Sequence, residues 1–347
     1  MTPSVQKALY TLKKKGEFIV GDIIPVPTPG PGEVLVKVMA AGLNPGDWKV
    51  REYGEVFEEF PAVFGFDYAG VIEQLGEGVE GFKVGDRVFT ESAMTNGHGG
   101  FQQYALAVAS TLPKIPDNIS FEEASTLGVA LTTAYVGLYQ SLPDGFGLPE
   151  PTPSRIHQER RGPFVVLGGS TSCGQVVMQF AKLSGFDPII ATASLSNTES
   201  LKAVGATHVF ARNLSAEELL AKISSVTSEP LKYVFDVVSS EQTENIGMSI
   251  LAEGGHFATL SIHPGVKPQP SKGLIKVKGW LRIDKNIPLL EPFYRNHATE
   301  FLGKGLIKSN AIEVLPNGLH GIPDGLKRLQ NFEVSKMRLV AHPQDTI

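Results

Sequence analysis

The sequence predicts an α/β protein that combines a β-rich first part with a doubly wound parallel sheet. Short apolar runs separated by Pro- and Gly-dense turns fill residues 1 to about 126, and strand-like and helix-like segments alternate from residue 164 onward. The closing run KMRLVAHP again has the character of a strand. Regular alternation is typical of parallel βαβ units with helices on both faces of a sheet. At 347 residues, two domains are expected.

Each predicted element follows from local pattern. Ser120 suits a helix N-cap ahead of Glu122 and Glu123, and residues 121–140 are expected to be helical. The Pro-, Gly- and charge-rich segment 141–163 is expected to be a surface connector.

The expected domains are 1–127 with 296–347, and 128–295. Strands are predicted at 18–24, 33–40, 69–75, 87–90, 103–108, 164–167, 188–193, 207–210, 233–238, 255–260 and 275–280, and further helices at 173–184, 197–204, 215–225 and 241–252.

Bulk composition excludes several classes of protein. The net charge is −5 and basic residues are not clustered, which argues against a nucleic-acid surface. The sequence contains no run of 18 apolar residues and no signal-peptide pattern, so we expect a cytoplasmic protein without a membrane segment. Cys173 is the one cysteine, which excludes an intrachain disulfide and a zinc site built on several thiolates.

The most informative segment is PFVVLGGSTSCG at 163–174, which a helix-like run follows at once. A strand, a turn of small residues and a helix N-terminus form the usual pyrophosphate site of a dinucleotide, because the backbone must approach the phosphates closely. The spacing Gly168-x-x-Thr171-x-x-Gly174 departs from G-x-G-x-x-G. The pattern therefore predicts a dinucleotide site, and the alternative is a glycine-rich turn that binds no nucleotide.

The segment after the next strand indicates which dinucleotide binds. An NAD site usually places Asp or Glu there to hold the ribose 2′-hydroxyl. This chain instead has Ser194, Ser196 and Asn197, which suit the oxygens of a 2′-phosphate, and Arg212 past the following strand could add positive charge. The sequence therefore predicts NADPH as the cofactor.

Several motifs hold their order across nearly the whole chain. They are LNPGDWK at 43–49, GFDYAGVI at 65–72, VGDRVF at 84–89, GGFQQYA at 99–105, TTAY at 132–135 and KAVGATHVF at 202–210. Together with the GGSTSCG loop, they resemble the medium-chain dehydrogenase/reductase superfamily. The NPGDWK motif, the connector and the hydroxyl-rich loop most resemble the fungal trans-acting enoyl reductases of polyketide biosynthesis. The resemblance implies a GroES-like catalytic domain and a Rossmann nucleotide-binding domain.

The resemblance also bears on zinc. Zinc alcohol dehydrogenases of this superfamily carry Cys where this chain has Asn44, and Gly-His-Glu where it has Gly65-Phe66-Asp67. The lobe that holds structural zinc would fall near residues 90–110, which contain no Cys. We therefore expect no zinc. Without a Lewis acid, hydride transfer suits a conjugated C=C–C=O substrate, because hydride at the β-carbon leaves an enolate.

Candidate site residues follow from the resemblance and from this chemistry. On a predicted loop from Asn44 to Tyr53, Lys49 would supply positive charge, Asp47 would orient it, and Tyr53 would offer a hydroxyl; the alternative for Lys49 is an exposed lysine. The resemblance places Thr133 against the nicotinamide or the substrate, with a helix-interior threonine as the alternative. It implies cofactor contacts from Gly46, Asp47, Trp48, Lys49, Ser170, Thr171, Ser172, Cys173, Ser194, Asn197, Arg212, Thr259, Leu260, Val334 and Ser335, and substrate contacts from Thr132, Phe57 and Trp280.

The predicted function is a zinc-independent, NADPH-dependent reduction of activated C=C bonds in a small-molecule enone or acyl thioester. By resemblance, a polyketide synthase is an expected partner. An NADPH quinone oxidoreductase and a zinc alcohol dehydrogenase remain enzymatic alternatives, and a non-catalytic NADPH-binding or structural protein is an alternative of another class. Pro264, Pro268 and Pro270 precede the expected edge strand, and proline discourages edge pairing, so a monomer is favoured over a homodimer.

Overall fold

The computed structural model describes residues 3–54, 56–93, 95–154, 156, 159–261 and 264–347. The strands are β1 (Val5–Thr11), β2 (Ile19–Pro25), β3 (Glu33–Gly42), β4 (Ala62–Val63), β5 (Asp67–Leu75), β6 (Arg87–Glu91), β7 (Tyr104–Val108), β8 (Phe164–Leu167), β9 (Ile189–Ala193), β10 (His208–Ala211), β11 (Tyr233–Asp236), β12 (His256–Thr259), β13 (Gly273–Lys276), β14 (Ala311–Val314) and β15 (Met337–Ala341). The α-helices are α1 (Pro45–Tyr53), α2 (Phe121–Ala124), α3 (Gly128–Tyr139), α4 (Ser172–Leu183), α5 (Thr198–Ala203), α6 (Ala216–Ser224), α7 (Glu241–Ile250), α8 (Ile287–Phe293), α9 (Thr299–Gly303) and α10 (Ile322–Gln330).

The chain divides into two compact units. The first unit comprises Met1–Val129, Glu291–Gly303 and Ser309–Ile347, and the second comprises Ala130–Leu290 and Lys304–Lys308. The sequence had placed the last of these segments with the first unit. It belongs to the second because the Gln179 side chain donates to the Lys308 carbonyl at 3.2 Å and accepts from its N–H at 2.7 Å.

The first unit is built on two sheets that are antiparallel except for the parallel pair of β14 and β15. Strand β3 pairs with β5 and β7, and β15 from the far end of the chain pairs with β3 through Val340 and Ala341. The predicted return of the closing strand to the first domain is thus confirmed. The smaller sheet has the order β2-β1-β4, and the larger has the order β14-β15-β3-β5-β6.

The helical character expected over 121–140 is confirmed, and it is divided between two helices, α2 and α3. Helix α2 has the predicted capping box, in which the Ser120 hydroxyl accepts from the Glu123 N–H at 3.1 Å. Helix α3 then starts anew, because the Asp67 carboxylate accepts the Val129 N–H at 2.7 Å. An α-helical N–H that is bound to a side chain marks a helix start rather than a helix interior.

The second unit is a doubly wound α/β domain, as predicted. Its parallel sheet has the strand order β10-β9-β8-β11-β12-β13, so β8, the first of these strands in the chain, lies inside the sheet. This is the order of a dinucleotide-binding fold, in which the polypeptide changes direction next to the first strand and leaves a crevice at the carboxyl edge. The strands are short apolar runs, and β8 is buried along its whole length. The last strand of the sheet lies at Gly273–Lys276, earlier than the predicted 275–280.

The connector at 141–163 is anchored by buried side chains, in contrast to the predicted surface loop. Phe146 is 7% exposed and packs edge-on against the rings of Phe164, Tyr233 and Phe235. The side chain of Leu148 is buried as well. The Pro- and Gly-rich composition concealed these two anchors, because isolated apolar residues form no periodic pattern.

No helix among the residues that the structure describes is long and apolar enough to cross a membrane.

Removal of the connector's aromatic anchor should destabilise the protein. Phe146→Ala leaves a cavity among three rings and is expected to lower the free energy of unfolding by about 3 kcal/mol. Phe332→Ala is the control, because Phe332 is 90% exposed and its removal should change stability by about 0.5 kcal/mol or less. Chemical denaturation measures both. Equal effects of the two substitutions would show that the connector is not anchored in this way.

Candidate active site

The turn between β8 and α4 has the geometry that a pyrophosphate requires. Gly168 adopts φ +88°, which favours glycine. The Thr171 hydroxyl accepts the Gly174 N–H at 3.0 Å and donates to the Gly168 carbonyl at 2.9 Å, so Thr171 is the N-cap of α4. The residues that follow the cap, Ser172 and Cys173, are partly exposed at a helix N-terminus, where the backbone favours anions.

Three glycines of this turn stand where a side chain would clash with neighbouring atoms. A Cβ atom on Gly168 would lie 2.4 Å from Val238, and one on Gly169 would lie 2.7 Å from Ala191. A Cβ atom on Gly174 would lie 2.5 Å from the Gly168 carbonyl oxygen. The turn is therefore tight although Thr171 replaces one fingerprint glycine, and the backbone fits a dinucleotide phosphate.

The predicted 2′-phosphate residues lie together at the end of β9. The hydroxyls of Ser194 and Ser196 are 3.4 Å apart on exposed residues, whereas Asn197 is buried. The Arg212 N–H donates to the Ala193 carbonyl at 3.0 Å, so its exposed side chain starts beside this turn. No carboxylate occurs between Ala193 and Thr198.

The ends of β11 and β12 carry a polar network that the sequence analysis missed. The Ser239 hydroxyl accepts the Leu260 N–H at 2.8 Å and lies 2.9 Å from the Thr259 hydroxyl. Thr259 is fully buried, and its hydroxyl also lies 3.0 Å from the buried Glu244 carboxylate. Thr259, predicted to flank the nicotinamide, therefore has its hydroxyl occupied within the protein. Half-buried Leu260 follows it at the carboxyl edge of the sheet.

Asp236 begins this network. Its carboxylate accepts the N–H groups of Val238 and Ser239 at 2.9 and 3.0 Å, and burial raises the pKa of the carboxyl to about 6. The signal for this site was present in the sequence, because Asp236 ends a short apolar strand, Ser239 follows three residues later, and strand ends of this kind form ligand crevices.

In the first unit, the predicted loop from Asn44 to Tyr53 is helix α1. Pro45 occupies the first helical position, where its missing N–H costs nothing, and Gly54 ends the helix with φ +71°. The prediction of a loop was wrong because Gly and Pro were taken as turn signals, whereas both are positioned as helix boundaries. On this helix Lys49 and Tyr53 are exposed, and Tyr53 is 56% accessible.

Asp47 does not orient Lys49 as predicted. Its carboxylate is fully buried and accepts the Asn44 N–H at 2.7 Å and the Phe66 N–H at 3.1 Å. Burial raises its pKa to about 8. The Lys49 ammonium instead lies 5.7 Å from the Trp48 ring centre.

The remaining predicted residues are divided between the two units, and those of the second unit are Thr132, Thr133 and Trp280. Thr132 and Thr133 are buried in α3, and Trp280 is 44% exposed. In the first unit, Phe57 packs on the Phe64 ring at 5.1 Å, a core contact in place of the predicted substrate contact. Three further predicted cofactor residues keep some exposure, and these are Gly46, Val334 and Ser335.

The region that corresponds to the catalytic metal site of zinc relatives is filled by an ion pair. Asp67 is fully buried, and its carboxylate accepts from the Asn44 amide and from the Arg338 guanidinium, each at 3.0 Å. Its other oxygen is held by the Val129 N–H. Burial raises the pKa of Asp67, which Arg338 and the hydrogen bonds oppose.

These donors do not fit zinc. Phe66 offers no ligand atom, and a guanidinium beside Asp67 disfavours a second cation. Across the described ranges, no group of three or more His, Cys, Asp or Glu side chains is arranged to hold a metal. His98 lies 3.0 Å from Glu33 and 2.6 Å from Thr95, so its two ring nitrogens face protein partners.

Comparisons with known proteins agree with this architecture. Residues 30–117 match the alcohol dehydrogenase GroES-like domain, and residues 173–285 match the family described as zinc-binding dehydrogenase. Trans-enoyl reductase ACTTS2 of Alternaria alternata is 34% identical over 95% of this chain and 96% of its own length. Trans-enoyl reductase resD of Aspergillus sclerotiorum is 31% identical over 91% and 94%. A mycobacterial protein solved in complex with NADPH superposes with a TM-score of 0.77 at 22% identity, covering 98% of this chain and all of that one.

The two domains together define a medium-chain dehydrogenase/reductase with a GroES-like and a Rossmann-like unit. Within that class, the chain belongs to the trans-enoyl reductase family, whose members match it over nearly their full length.

The contribution of the buried Asp67–Arg338 ion pair to stability can be tested against that of the exposed Glu313–Arg328 pair. Arg338→Met leaves the Asp67 carboxylate buried without its cation, and we expect a loss of about 3 to 5 kcal/mol in the free energy of unfolding at pH 7.5. The loss should be smaller at pH 5, because a protonated Asp67 needs no cation, and protonation is favoured by its raised pKa.

Arg328→Met provides the matched control. The Arg328 side chain binds Glu313 through two hydrogen bonds at the surface, where its removal should cost about 1 kcal/mol or less. Urea denaturation at both pH values measures the two variants. A loss for Arg338→Met that grows on acidification would contradict the assignment.

Proposed function

We propose that this chain is a zinc-independent, NADPH-dependent enoyl reductase that acts on an enoyl thioester or enone. One observation carries the proposal: the tight β8–α4 turn lies in the same unit as an exposed pair of hydroxyls at the end of β9, and the sequence has no carboxylate between Ala193 and Thr198. Family membership supports the enoyl substrate, and the named relatives are trans-enoyl reductases.

Different residues of the chain would bind different parts of NADPH. Ser170, Thr171 and the N-terminus of α4 would hold the pyrophosphate, and Ser194 and Arg212 the 2′-phosphate. The backbone at Leu260 would lie along the nicotinamide. The bound NADPH supplies the hydride. The remaining predicted contacts are Ser172, Cys173, Asn197, Thr259, Val334 and Ser335, with Gly46 and Trp48 in α1.

Hydride addition at the β-carbon leaves negative charge on the substrate carbonyl oxygen. Lys49 is exposed on α1 with an ammonium that can stabilise this enolate, and the Tyr53 hydroxyl is exposed one turn farther along the helix. Thr133 would contact the substrate from α3. The ion pair of Asp67 and Arg338 supports the zinc-independent part of the proposal, because it uses the acidic residue that a metal would need.

The trans-acting relatives and the resemblance described above also support a polyketide synthase as the partner that presents the thioester. We propose a monomer, since Pro268 and Pro270 lie in the segment ahead of the edge strand β13.

An activity assay separates the candidate functions. The purified chain should oxidise NADPH with enoyl thioesters or enones as acceptors, and deuterium from the labelled cofactor should appear at the β-carbon of the product. Addition of a chelator or of zinc should leave the rate unchanged. Turnover of quinones alone would favour a quinone oxidoreductase, and tight NADPH binding without turnover of any acceptor would favour a non-catalytic protein.

Cofactor preference tests the phosphate site directly. Ser194→Asp places a carboxylate where the 2′-phosphate is expected, and like-charge repulsion should weaken NADPH binding by about tenfold or more while NADH binding is kept or improved. Ser228→Asp adds the same charge in an exposed loop of the same unit and should change neither affinity. Titration of nicotinamide fluorescence measures both constants. An unchanged NADPH affinity in Ser194→Asp would place the phosphate elsewhere.

A further inference from the structure

One residue of the neighbouring strand binds the first two N–H groups of the β8–α4 turn. Thr192 lies in β9, is 6% exposed, and accepts the Gly168 N–H on its hydroxyl at 3.1 Å. The carbonyl of Thr192 accepts the Gly169 N–H at 2.9 Å. Leu167, the last residue of β8, lies opposite Thr192 in the parallel pairing. Both N–H groups are therefore held by Thr192 at the point where β8 ends.

The hydroxyl of Thr192 stands out in its strand. Strand β9 reads IIATA, so Thr192 is a polar residue among Ile and Ala. A buried strand position suits Val as well as Thr, because both are β-branched. The requirement for a hydroxyl at this position therefore comes from the Gly168 N–H and not from the strand.

Gly168 is also contacted from the opposite side. A Cβ atom on Gly168 would lie 2.4 Å from the Val238 side chain. Val238 follows β11, and its N–H donates to the Asp236 carboxylate at 2.9 Å. Because β8 lies between β9 and β11 in the sheet, the first residue of the turn is confined by both neighbouring strands.

The hydrogen bond from Gly168 to Thr192 continues to the N-terminus of α4. The Gly168 carbonyl accepts the Thr171 N–H at 3.0 Å and the Thr171 hydroxyl at 2.9 Å. The Thr171 hydroxyl in turn accepts the Gly174 N–H at 3.0 Å. The conformation of Gly168 thus determines where the cap of α4 lies, and Thr192 holds the N–H side of the same residue.

We propose that Thr192 is a positioning residue for the dinucleotide, whose hydroxyl holds the β8–α4 turn in the form that binds the pyrophosphate. The inference rests on the proposed NADPH-dependent function, which places the pyrophosphate at this turn. Thr192 is buried and acts through Gly168. Ser194, two residues farther along, is exposed and would contact the 2′-phosphate directly. The two residues therefore have separable effects: Thr192 acts on every dinucleotide, and Ser194 discriminates between NADPH and NADH.

Thr192→Val keeps the shape of the side chain and removes the acceptor of the Gly168 N–H. The dissociation constants of NADPH and NADH should each rise about five- to tenfold, because the loss corresponds to roughly one hydrogen bond. The ratio of the two constants should stay at its wild-type value, since both dinucleotides carry the pyrophosphate. Titration of nicotinamide fluorescence measures both constants. Thr192→Ala is expected to show the same loss and serves if Thr192→Val does not fold.

Two variants serve as controls. Thr192→Ser keeps a hydroxyl acceptor and should bind both dinucleotides within about twofold of the wild-type chain. At the amino end of the same strand, the Thr207 hydroxyl accepts the Ile189 N–H at 2.9 Å. Thr207→Val removes the same kind of hydrogen bond at the end of β9 that is remote from the turn, and it should leave both constants unchanged.

A ligand without a pyrophosphate distinguishes positioning of the turn from general loosening of the unit. Adenosine 2′-phosphate carries the 2′-phosphate alone, so its affinity for Thr192→Val should equal its affinity for the wild-type chain. Isothermal titration calorimetry measures this affinity. A variant that had loosened the whole unit would bind adenosine 2′-phosphate more weakly as well.

Amide hydrogen exchange of the cofactor-free protein gives a readout that needs no ligand. The exchange rate of the Gly168 amide, followed by NMR, should rise in Thr192→Val because its N–H has lost its acceptor. The rate should be unchanged in Thr192→Ser and in Thr207→Val.

The outcomes separate this inference from the function on which it rests. Unchanged dinucleotide affinity in a folded Thr192→Val protein overturns the positioning role, and so does a weaker affinity for adenosine 2′-phosphate or an altered ratio of the NADPH and NADH constants. If the wild-type chain binds neither dinucleotide, the proposed function fails and the role of Thr192 in cofactor binding fails with it. The exchange rate of the Gly168 amide still decides whether Thr192 holds the turn.

Discussion

The first unit depends on one buried carboxylate. Asp67 stands at the start of β5 and receives hydrogen bonds from the residue before α1, from the first turn of α3 and from Arg338 on the closing strand. An ionised carboxylate in such a place is costly unless its oxygens are all engaged, and three donors from distant parts of the chain meet that requirement. The same hydrogen bonds engage both oxygens of the Asp67 carboxylate.

A comparable principle organises the carboxyl edge of the second unit. Asp236, Ser239 and Glu244 use their side chains to hold backbone turns at the ends of β11 and β12. Polar groups that are buried must be hydrogen-bonded, so these side chains stabilise the rim of the crevice. The glycines of the β8–α4 turn leave no room for a side chain at the same edge of the sheet. Ser194 remains exposed at the end of β9, where the proposed function places the 2′-phosphate.

Several expectations failed for a common reason. Asp47 was expected to orient Lys49, yet its carboxylate is hydrogen-bonded to backbone N–H groups within the protein. Phe57 packs on an aromatic core, and Gly and Pro near α1 mark helix boundaries instead of a loop. In each case the residue type suited a ligand and a scaffold equally well. A sequence without contacts cannot distinguish the two, since the choice depends on neighbours that are distant in the chain.

The sequence by itself determined the class of fold and the alternation of strands and helices along the second unit, because short apolar strands, periodic helices and a glycine turn are local patterns. The sequence also showed the small residues of the β8–α4 turn and the hydroxyls after β9, because the residues of each set lie next to one another in the chain. The tertiary structure decided which polar residues are buried, as with Asp67 and Arg338, 271 positions apart. It also decided that the buried Asn286 amide donates to the Lys278 and Trp280 carbonyls. Burial and long-range hydrogen bonds arise only when distant segments pack together, and no local pattern records them.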